Sequence, residues 1–177
     1  DSVDLTFSAS VDGNGTLSIA DDLLTVIPNE NYNGDIVVAI TASDGELVGQ
    51  SSFTLTVNPV NDAPVVDAIL DDSVDEDQSY ILEISASDVD GDELVLTASV
   101  DGNGTASVDG STLTVTPSQD YNGDIVVTVT ASDGDLTGQS SFTLTVNPVN
   151  DAPVVDAILN DSVDEDQSYI LEISASD

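Results

Sequence analysis

The sequence predicts an all-β protein built from tandem Greek-key β-sandwich repeats of seven strands each, and three observations support this prediction. Apolar and polar residues alternate along most of the apolar segments, which is typical of half-buried strands. Gly, Asp and Asn turns separate these segments at short intervals. The pattern recurs with a period of 89 residues, so that Asn58 corresponds to Asn147. No segment has the spacing of apolar residues that a helix requires.

Two copies of one sequence make up the chain. Segment 58–88 matches segment 147–177 at every position except Asp71, whose counterpart is Asn160. Residues 1–57 differ from the corresponding residues 90–146 mainly in three short patches. We therefore interpret the chain as a two-period array.

The repeat frame predicts three parts. They are the C-terminal part of one repeat (1–57), a complete repeat (58–146) and the N-terminal part of the next repeat (147–177). The proline-containing stretches 57–64 and 146–153 are the expected linkers, because domain boundaries fall in such segments. We expect the frame to be a window cut from a longer array, since both ends fall inside a repeat.

The strands of the complete repeat can be placed in order. The clearest alternation is that of Phe142, Leu144 and Val146 with Thr143 and Thr145. The expected strands cover residues 65–70, 80–87, 94–100, 105–108, 112–116, 125–131 and 142–146. This number of short strands in a repeat of this length matches the size and strand spacing of a β-sandwich.

The aromatic side chains are expected in the core. Recurrence at equivalent positions favours packing over a binding surface for Phe53, Phe142, Tyr32, Tyr80, Tyr121 and Tyr169. Tyr121 precedes the strand that starts near Ile125, where a tyrosine corner would bond its hydroxyl to the backbone. A core aromatic whose polar tip lies at the rim is the equal alternative.

A short motif with two meanings occurs once in each copy. Asn14-Gly15-Thr16 and Asn103-Gly104-Thr105 fit the pattern of an N-glycosylation acceptor. The surrounding Asp-Gly-Asn-Gly is also the residue combination of a tight turn. We favour the turn.

The charge composition excludes several functions. The chain has 35 acidic residues and no Lys, Arg, His or Cys, for a formal net charge of −35. Nucleic acids and anionic membranes are excluded as partners, because both are bound through Lys or Arg. The chain has no imidazole base, thiolate or Schiff-base amine. Glycoside hydrolysis by paired carboxylates remains, but with 4% aromatic residues the sequence offers no sugar-binding cleft, so we expect no enzyme.

Disorder and membrane insertion are not expected either. The hydrophobic fraction of 40% contradicts the composition of a disordered chain. No apolar run approaches the roughly 18 to 20 residues of a membrane span, and no signal-peptide pattern is present.

The carboxylates concentrate in loops at strand ends. Within one period the clusters are 75–77, 88–92, 120–124, 133–135 and the linker pair 61–62. The 75–77 cluster precedes the predicted strand at 80–87 and the 88–92 cluster follows it, so the two clusters lie at opposite ends of the sandwich. Consecutive sandwiches would therefore bring two acidic ends together at each linker.

Such a junction needs a cation. Carboxylates about 5 Å apart repel by a few kcal/mol at an effective dielectric near 20, and no basic side chain offsets this. Ca²⁺ prefers carboxylate, carbonyl and amide oxygens, which are the donors available. The motif Asp88-Val89-Asp90-Gly91-Asp92 is no EF-hand, since no helices flank it. The alternative is a solvated acidic surface that only keeps the protein soluble.

The whole chain resembles the cadherin-like, Ig-like tandem repeats of large secreted bacterial and archaeal surface proteins. The motifs that carry the resemblance are Asn61-Asp62-Ala63-Pro64, Asp75-Glu76-Asp77, Asp88-Val89-Asp90, Tyr121-Asn122-Gly123 and Ala131-Ser132-Asp133-Gly134, in this order. Together they are fairly specific, whereas each alone is weak.

The resemblance implies Ca²⁺ between consecutive repeats. For the linker inside this chain, the implied ligands are Glu30 or Asn31, Asn58, Val60, Asn61 and Asp62 above, with Asp88, Asp90 and Asp133 below. For the next linker they are Glu76, Asp120, Asn147, Asn150, Asp151, the carbonyl of Val149 and, beyond the linker, Asp177. Asp1 and Asp44 are the first-copy equivalents of Asp90 and Asp133, and they are candidate Ca²⁺ ligands for the same reason.

The sequence departs from the cadherin pattern at the linker. Asn58 and Asn61 stand where cadherins favour Asp, and Val60 stands where they favour Asn. Asn31 also corresponds to Asp120, so the charge of that ligand differs between copies. We expect one to three Ca²⁺ ions per linker.

The expected function is that of a calcium-stiffened extracellular segment of an adhesin shaft, stalk or filament. Its expected partners are neighbouring repeats of the same array, and its location is the cell surface or the secreted fraction, since Ca²⁺ is scarce in the cytosol. One alternative is an adhesion module whose loops bind a glycan or a protein on another surface. The other is a filament subunit, in which segment 147–177 of one chain completes residues 1–57 of another by strand exchange.

Overall fold

The computed structural model describes residues 4–176, and these residues form only strands, turns and loops. The first copy contributes β1 (Thr6–Val11), β2 (Gly15–Ala20), β3 (Leu23–Pro28), β4 (Gly34–Ser43) and β5 (Val48–Val57). The complete repeat contributes β6 (Val65–Val66), β7 (Asp72–Asp75), β8 (Tyr80–Glu83), β9 (Ala86–Ser87), β10 (Val95–Val100), β11 (Gly104–Asp109), β12 (Thr112–Pro117), β13 (Gly123–Ser132) and β14 (Thr137–Asn147). Two short strands follow, β15 (Val154–Val155) and β16 (Ala175–Ser176). The prediction of an all-β fold is confirmed.

The strands pair in small sheets. The sheet orders are β1-β4-β5, β10-β13-β14-β7, β11-β12-β8, β2-β3, β6-β9 and β15-β16. Most neighbours are antiparallel, as hairpins require, but β7 pairs with β14 in parallel. Corresponding hairpins of the two copies have the same register, since Gly15 faces Pro28 and Gly104 faces Pro117.

The described residues divide into two compact units. The first comprises the described residues up to Asp67, together with Ala86–Val95 and Ala131–Gln139. The second comprises Ala68–Ser85, Leu96–Thr130 and the described residues from Ser140 onward.

Strand alternation accounts for the buried residues of each unit. In β13 from Ile125 onward and in β14 from Phe142 onward, every second side chain is buried. The second unit buries Ile84, Leu113, Val115, Ile125, Val127, Val129, Phe142, Leu144 and Val146. The first unit buries Ile36, Val38, Val66 and Ala131. The period-two pattern in the sequence thus records one inward and one outward face.

The strand predicted at 142–146 is the longer β14, which begins at Thr137. Two further predicted strands were wrong in extent and in pairing. The strand predicted at 80–87 is divided, because β8 pairs with β12 whereas β9 pairs with β6. The strand predicted at 65–70 is only β6, and β7 was not predicted. In both cases the chain changes its pairing partner within a few residues, which the alternation of side chains cannot reveal.

The expectation that all the aromatic residues are core residues was wrong for Phe53 and Tyr169, which are exposed. Their counterparts Phe142 and Tyr80 lie in contact, with ring centroids 6.0 Å apart. Phe53 has no such partner strand among the described residues, because β5 pairs only with β4 there.

The turn motifs have the geometry that their residues favour. The hydroxyl of Tyr121 donates a hydrogen bond to the carbonyl of Asp124 at 2.9 Å. Gly123, at a φ of 134°, lies against this hydroxyl, and a Cβ there would approach it to 2.9 Å. Asn103 lies in the turn between β10 and β11 with a φ of 57°. Asn tolerates this left-handed conformation better than most residues.

Candidate metal centre

An acidic loop follows β9 in the first compact unit. One carboxylate oxygen from each of Asp88, Asp90 and Asp92 lies within 4.8 Å of the others. Gly91, with a φ of 82°, provides the left-handed turn between the last two. The backbone N–H of Asp90 donates to Oδ1 of Asp88 at 2.8 Å, which fixes the loop. The turn therefore points three carboxylates toward a common volume.

One oxygen of this loop is buried and has no hydrogen-bond donor. Oδ2 of Asp88 is shielded from solvent, and no described residue donates to it. Buried polar atoms in proteins are nearly always paired with protein, water or an ion. A cation among the three carboxylates would satisfy this oxygen.

The linker is attached to the same loop. The backbone N–H of Asp62 donates to Oδ2 of Asp90 at 2.8 Å. The side-chain amide of Asn61 donates to Oδ2 of Asp133 at 2.9 Å. Two linker residues are therefore held by the two acidic loops that come from β9 and β13.

Asp133 is held by its own loop. Its Oδ1 accepts hydrogen bonds from the backbone N–H groups of Leu136 at 2.6 Å and Asp135 at 2.7 Å. The bond from Leu136, followed by those from Asn61 and Asp135, lowers the pKa of Asp133 below its usual value. Bonds from Leu47 and Glu46 lower the pKa of Asp44 in the same way. Both carboxylates are thus stabilised as anions.

Two clefts surround the linker within the first unit. The first has a volume of about 260 Å³, and its walls include Asn31, Asn58, Val60, Asp62 and Asp90. The second, of about 400 Å³, is lined by Asn33, Pro59, Val60, Asn61, Asp90 and Asp92. Both contain carboxylate and amide oxygens. Glu30 is exposed and lies in neither wall.

The residues predicted for the next linker lie in the second unit. Glu76 is 5% exposed, and its Oε1 accepts a hydrogen bond from the N–H of Val149 at 2.5 Å. Its own N–H donates to the carbonyl of Asn147 at 2.9 Å. This carboxylate is already engaged in fixing the linker.

The remaining predicted ligands lie in turns or make local hydrogen bonds. The N–H of Asp120 donates to Oδ1 of Asp77 at 3.3 Å, and Asp120 has a φ of 55°. Its counterpart Asn31 has a φ of 57°, so both positions take residues that tolerate a left-handed backbone. Asn150 donates to the carbonyl of Asp151 at 2.9 Å. Asp1 and Asp177 lie outside the described residues.

Sequence reasoning did not assign Asp92 as a ligand. The signal was present, because Asp88-Val89-Asp90-Gly91-Asp92 has an aspartate at every second position. The turn at Gly91, and not strand alternation, brings the third carboxylate to the same side.

The surroundings of the acidic loop are without positive charge, since the sequence contains no Lys, Arg or His. Carboxylate oxygens, amide oxygens and backbone carbonyls are the available donors, and these are the ligands that Ca²⁺ takes. The donor set therefore fits Ca²⁺ and does not fit metals that prefer imidazole or thiolate.

Comparisons with known proteins identify one domain. The family model described as cadherin-like domain matches residues 60–147. Chitinase A of Pseudoalteromonas piscicida is 30% identical over 149 residues, which are 83% of this chain but only 18% of the chitinase. The chain therefore spans less than a fifth of the length of this relative.

One of two solved structures compared with the chain resembles it in fold. Human protocadherin-24 EC1-2 has a TM-score of 0.54 at 16% identity, with 82% of each chain covered. An endo-fucoidan hydrolase, MfFcnA4 from glycoside hydrolase family 107, has a TM-score of 0.38 at 23% identity. That match covers 82% of this chain and 24% of the hydrolase.

No helix long and apolar enough to cross a membrane occurs among residues 4–176.

Proposed function

The repeat at residues 60–147 belongs to the cadherin-like domain family, and from this premise we propose that the chain is a calcium-stiffened structural segment of an extracellular shaft, stalk or filament. Its parts would be the first partial repeat (1–57), the complete repeat (58–146) and the start of the next repeat (147–177). Neighbouring repeats of the same array would be its direct partners.

The observation that carries the proposal is the unpaired, buried Oδ2 of Asp88 beside the carboxylates of Asp90 and Asp92. Two unit charges about 4 Å apart repel by roughly 4 kcal/mol at an effective dielectric of 20. A divalent cation changes this repulsion into attraction. A solvated acidic surface would expose all its oxygens to water, so it does not explain the buried one.

The residues that would hold the ion join the loop to the linker. Asp88, Asp90 and Asp92 would supply carboxylate oxygens, and Asp62 and Asn61 would supply oxygens from the linker. Bound Ca²⁺ would neutralise the carboxylates and link two segments that are otherwise joined by single hydrogen bonds. Asn58, Val60 and Asn31 line the adjoining cleft, and the Val60 carbonyl and the two amide oxygens are the further candidates for a second ion.

The linker sequence supports stiffening as the consequence. Pro59 and Pro64 fix their own φ and restrict the residues before them, so the linker is extended and has few remaining degrees of freedom. Extracellular calcium modules have dissociation constants of roughly 0.1 to 1 mM. At a few millimolar Ca²⁺ one such site contributes about 1 to 3 kcal/mol by mass action, which is enough to suppress pivoting.

We extend the proposal to the linker at 147–151. Glu76 is bonded there to the N–H of Val149 and to the carbonyl of Asn147, and Asn150, Asp151, Asp120 and the Val149 carbonyl would complete the ligand set. Its other half would come from Asp177 and residues like those around Asp88. One to three ions per linker is the proposed range.

A second candidate function is suggested by the resemblance to Chitinase A. A segment of this kind could separate or display a polysaccharide-binding or polysaccharide-degrading domain of a secreted protein. The chain itself would then be the spacer and not the enzyme. A chain that binds the glycan itself should be retained by insoluble chitin in a pull-down. A chain that is only a spacer should stay in solution.

Calcium binding is tested by calorimetric titration of the chelator-treated chain. We expect saturable binding of Ca²⁺ with sub-millimolar to millimolar affinity and weaker binding of Mg²⁺, which demands octahedral geometry. The double variant Asp88→Asn, Asp90→Asn should lose at least one site. Asp109→Asn, which removes a carboxylate from the end of β11, is the control and should bind as the unmodified chain does.

Stiffening is tested separately by small-angle X-ray scattering with Ca²⁺ and then with chelator. We expect the maximum dimension to fall and the flexibility to rise on chelation. Identical profiles in both conditions would mean that any bound ion has no mechanical role.

A further inference from the structure

The first and last parts of the complete repeat meet in one pair of strands. β7 pairs with β14 in parallel, from Asp72 opposite Leu144 to Asp75 opposite Asn147. β14 is the last strand of this repeat and runs directly into the linker at 146–153. Only the short strand β6 lies between the preceding linker and β7, and it pairs with β9 through two residues. A pull on the two linkers therefore loads β7 and β14 once β6 has separated from β9.

The parallel direction of the two strands decides how this pull acts on them. Tension from the preceding linker acts on β7 at its first residue, Asp72, and tension from the following linker acts on β14 at its last residue, Asn147. In a parallel pair these two residues lie at opposite ends, so the pull acts along the strands and all the bonds between them carry the load together. In an antiparallel pair both residues would lie at the same end, and the bonds would open one after another.

Carboxylate side chains lengthen the pair at both of its ends. Before the paired residues, the N–H of Thr143 donates to Oδ1 of Asp71 at 2.7 Å. After them, the N–H of Glu76 donates to the carbonyl of Asn147 at 2.9 Å, and the N–H of Val149 donates to Oε1 of Glu76 at 2.5 Å. Hydrogen bonds to a charged acceptor are stronger than neutral ones. The two ends, where the load enters, thus have the strongest type of bond.

Both strands are also fixed to the rest of the repeat. Leu144 and Val146 of β14 are fully buried, and Val74 of β7 lies opposite Val146. The carboxylate of Asp72 accepts a hydrogen bond from the hydroxyl of Tyr80 in β8 at 3.0 Å. Sliding of β7 past β14 would therefore expose apolar surface and break bonds at the same time.

We propose that β7 and β14, together with the side chains of Asp71 and Glu76, form a mechanical clamp that keeps the complete repeat folded under tension along the array. We call this group the clamp. The inference rests on the proposed shaft function for the source of the tension, but the clamp itself requires no metal. Calcium would stiffen the linkers between repeats, whereas the clamp resists unfolding within a repeat.

The test pulls the full chain from chosen residues. The sequence contains no Cys, so engineered thiols attach the handles at two residues only. Leu70→Cys and Val149→Cys place the handles at opposite ends of the clamp, and both of these side chains are exposed. Leu70→Cys and Ser141→Cys place the handles at the same end, because Ser141 precedes the part of β14 that pairs with β7.

The lifetime of the folded segment at constant force is measured for both attachments, in EDTA. Forced unfolding is governed by the unfolding rate, and its event is recognised by a release of roughly 3.3 to 3.6 Å per residue between the handles. The opposite-end attachment should survive at least ~100-fold longer at the same force. At least two further bonds must then break together, and each is worth about 10-fold.

Variants of the two carboxylates make the test specific. With opposite-end handles, Glu76→Ala should shorten the lifetime about 10-fold, whereas Glu76→Gln keeps an acceptor oxygen and should shorten it much less. With same-end handles, Glu76→Ala should have no effect, because the bonds open from the other end and reach Glu76 last. Asp71→Ala removes the bond nearest the same-end handles and should shorten both lifetimes.

A control variant separates the clamp from a general loss of stability. Glu83 accepts hydrogen bonds from the hydroxyls of Ser111 and Thr112, both at 2.7 Å, and these residues lie outside the clamp. Glu83→Ala should leave the lifetimes for both attachments within about two-fold of those of the parent chains. Its bonds are still formed when the clamp breaks, and such bonds do not change the unfolding rate.

Three results would overturn the proposal. They are equal lifetimes for the two attachments, an opposite-end lifetime that Glu76→Ala leaves unchanged, and an opposite-end lifetime that Glu83→Ala shortens as much as Glu76→Ala does. EDTA keeps these results independent of calcium. A scattering profile that ignores Ca²⁺ would remove the stiffening and leave the clamp, and equal lifetimes would remove the clamp and leave the stiffening.

Discussion

The backbone N–H of Asp62 donates a hydrogen bond of 2.8 Å to Oδ2 of Asp90, which joins the linker to the acidic loop after β9. The two residues are 28 positions apart in the chain. The same carboxylate belongs to the group formed with Asp88 and Asp92. The position of the linker and the charge state of the loop are therefore coupled through a single side chain.

Removing this acceptor should loosen the linker even without metal. In EDTA, Asp90→Ala should increase hydrogen exchange at the Asp62 amide about 10-fold, which corresponds to about 1.4 kcal/mol for the lost bond. Asp90→Asn keeps an acceptor oxygen and should change the exchange rate much less. Equal exchange rates in the two variants and the unmodified chain would show that the bond does not protect the amide.

Gly138 in β14 is required by its packing. A Cβ at this position would overlap the carbonyl oxygen of Pro64, whereas a Cβ at the equivalent Gly49 would meet nothing within 4 Å. Gly138→Ala should therefore lower the free energy of unfolding by about 1 to 3 kcal/mol. Gly49→Ala should change it by less than about 0.5 kcal/mol. Urea denaturation of both variants measures the difference, and equal midpoints would contradict the close approach.

Glu76 should stabilise the complete repeat by satisfying the Val149 N–H. Glu76→Ala removes the charged acceptor of this part-buried hydrogen bond, at a cost of about 1 to 3 kcal/mol. Glu165→Ala alters the same sequence motif where the side chain is exposed and should cost less than about 0.5 kcal/mol. Both are compared by urea denaturation in EDTA and at low protein concentration, and similar losses would mean that the Glu76 contact contributes nothing.

Tyr80 should give the protein an alkaline transition. Burial, followed by its hydrogen bond to Asp72, raises the pKa of Tyr80 from its usual 10.0 to about 12. The folded state thus holds this proton more tightly than the unfolded state does. The resulting contribution is fully present below pH 10.0 and is lost as the pH rises toward about 12.

The variant Tyr80→Phe isolates this contribution. Its free energy of unfolding should fall less steeply above pH 10.0 than that of the unmodified chain. Tyr169→Phe, which leaves Tyr80 in place, is the control and should keep the steep fall. Parallel pH profiles for Tyr80→Phe and the unmodified chain would refute the assignment.

Side-chain alternation was sufficient to predict the all-β fold and the strands from β10 to β14. It was insufficient for β7, β8 and β9, because these strands are short and change partners within a few residues. A local pattern records which face is buried but not which strand lies beside it. The exposure of Phe53 has the same origin, since its burial depends on strands that residues 4–57 do not include.

The acidic site was partly visible in the sequence. The run from Asp88 to Asp92 indicated oxygen ligands, and the cadherin-like resemblance is confirmed for residues 60–147. The contact of Asn61 with Asp133, which are 72 positions apart, arises from tertiary structure and could not be read from spacing. Which of these oxygens bind metal stays a prediction.

The most direct measurement is diffraction from crystals grown with millimolar Ca²⁺, combined with anomalous scattering at the acidic loop. We expect an anomalous peak roughly 2.3 to 2.6 Å from oxygens of Asp88 and Asp90, with Oδ2 of Asp88 as a ligand. A loop that contains only water, with Oδ2 of Asp88 paired to a hydrogen-bond donor, would contradict it.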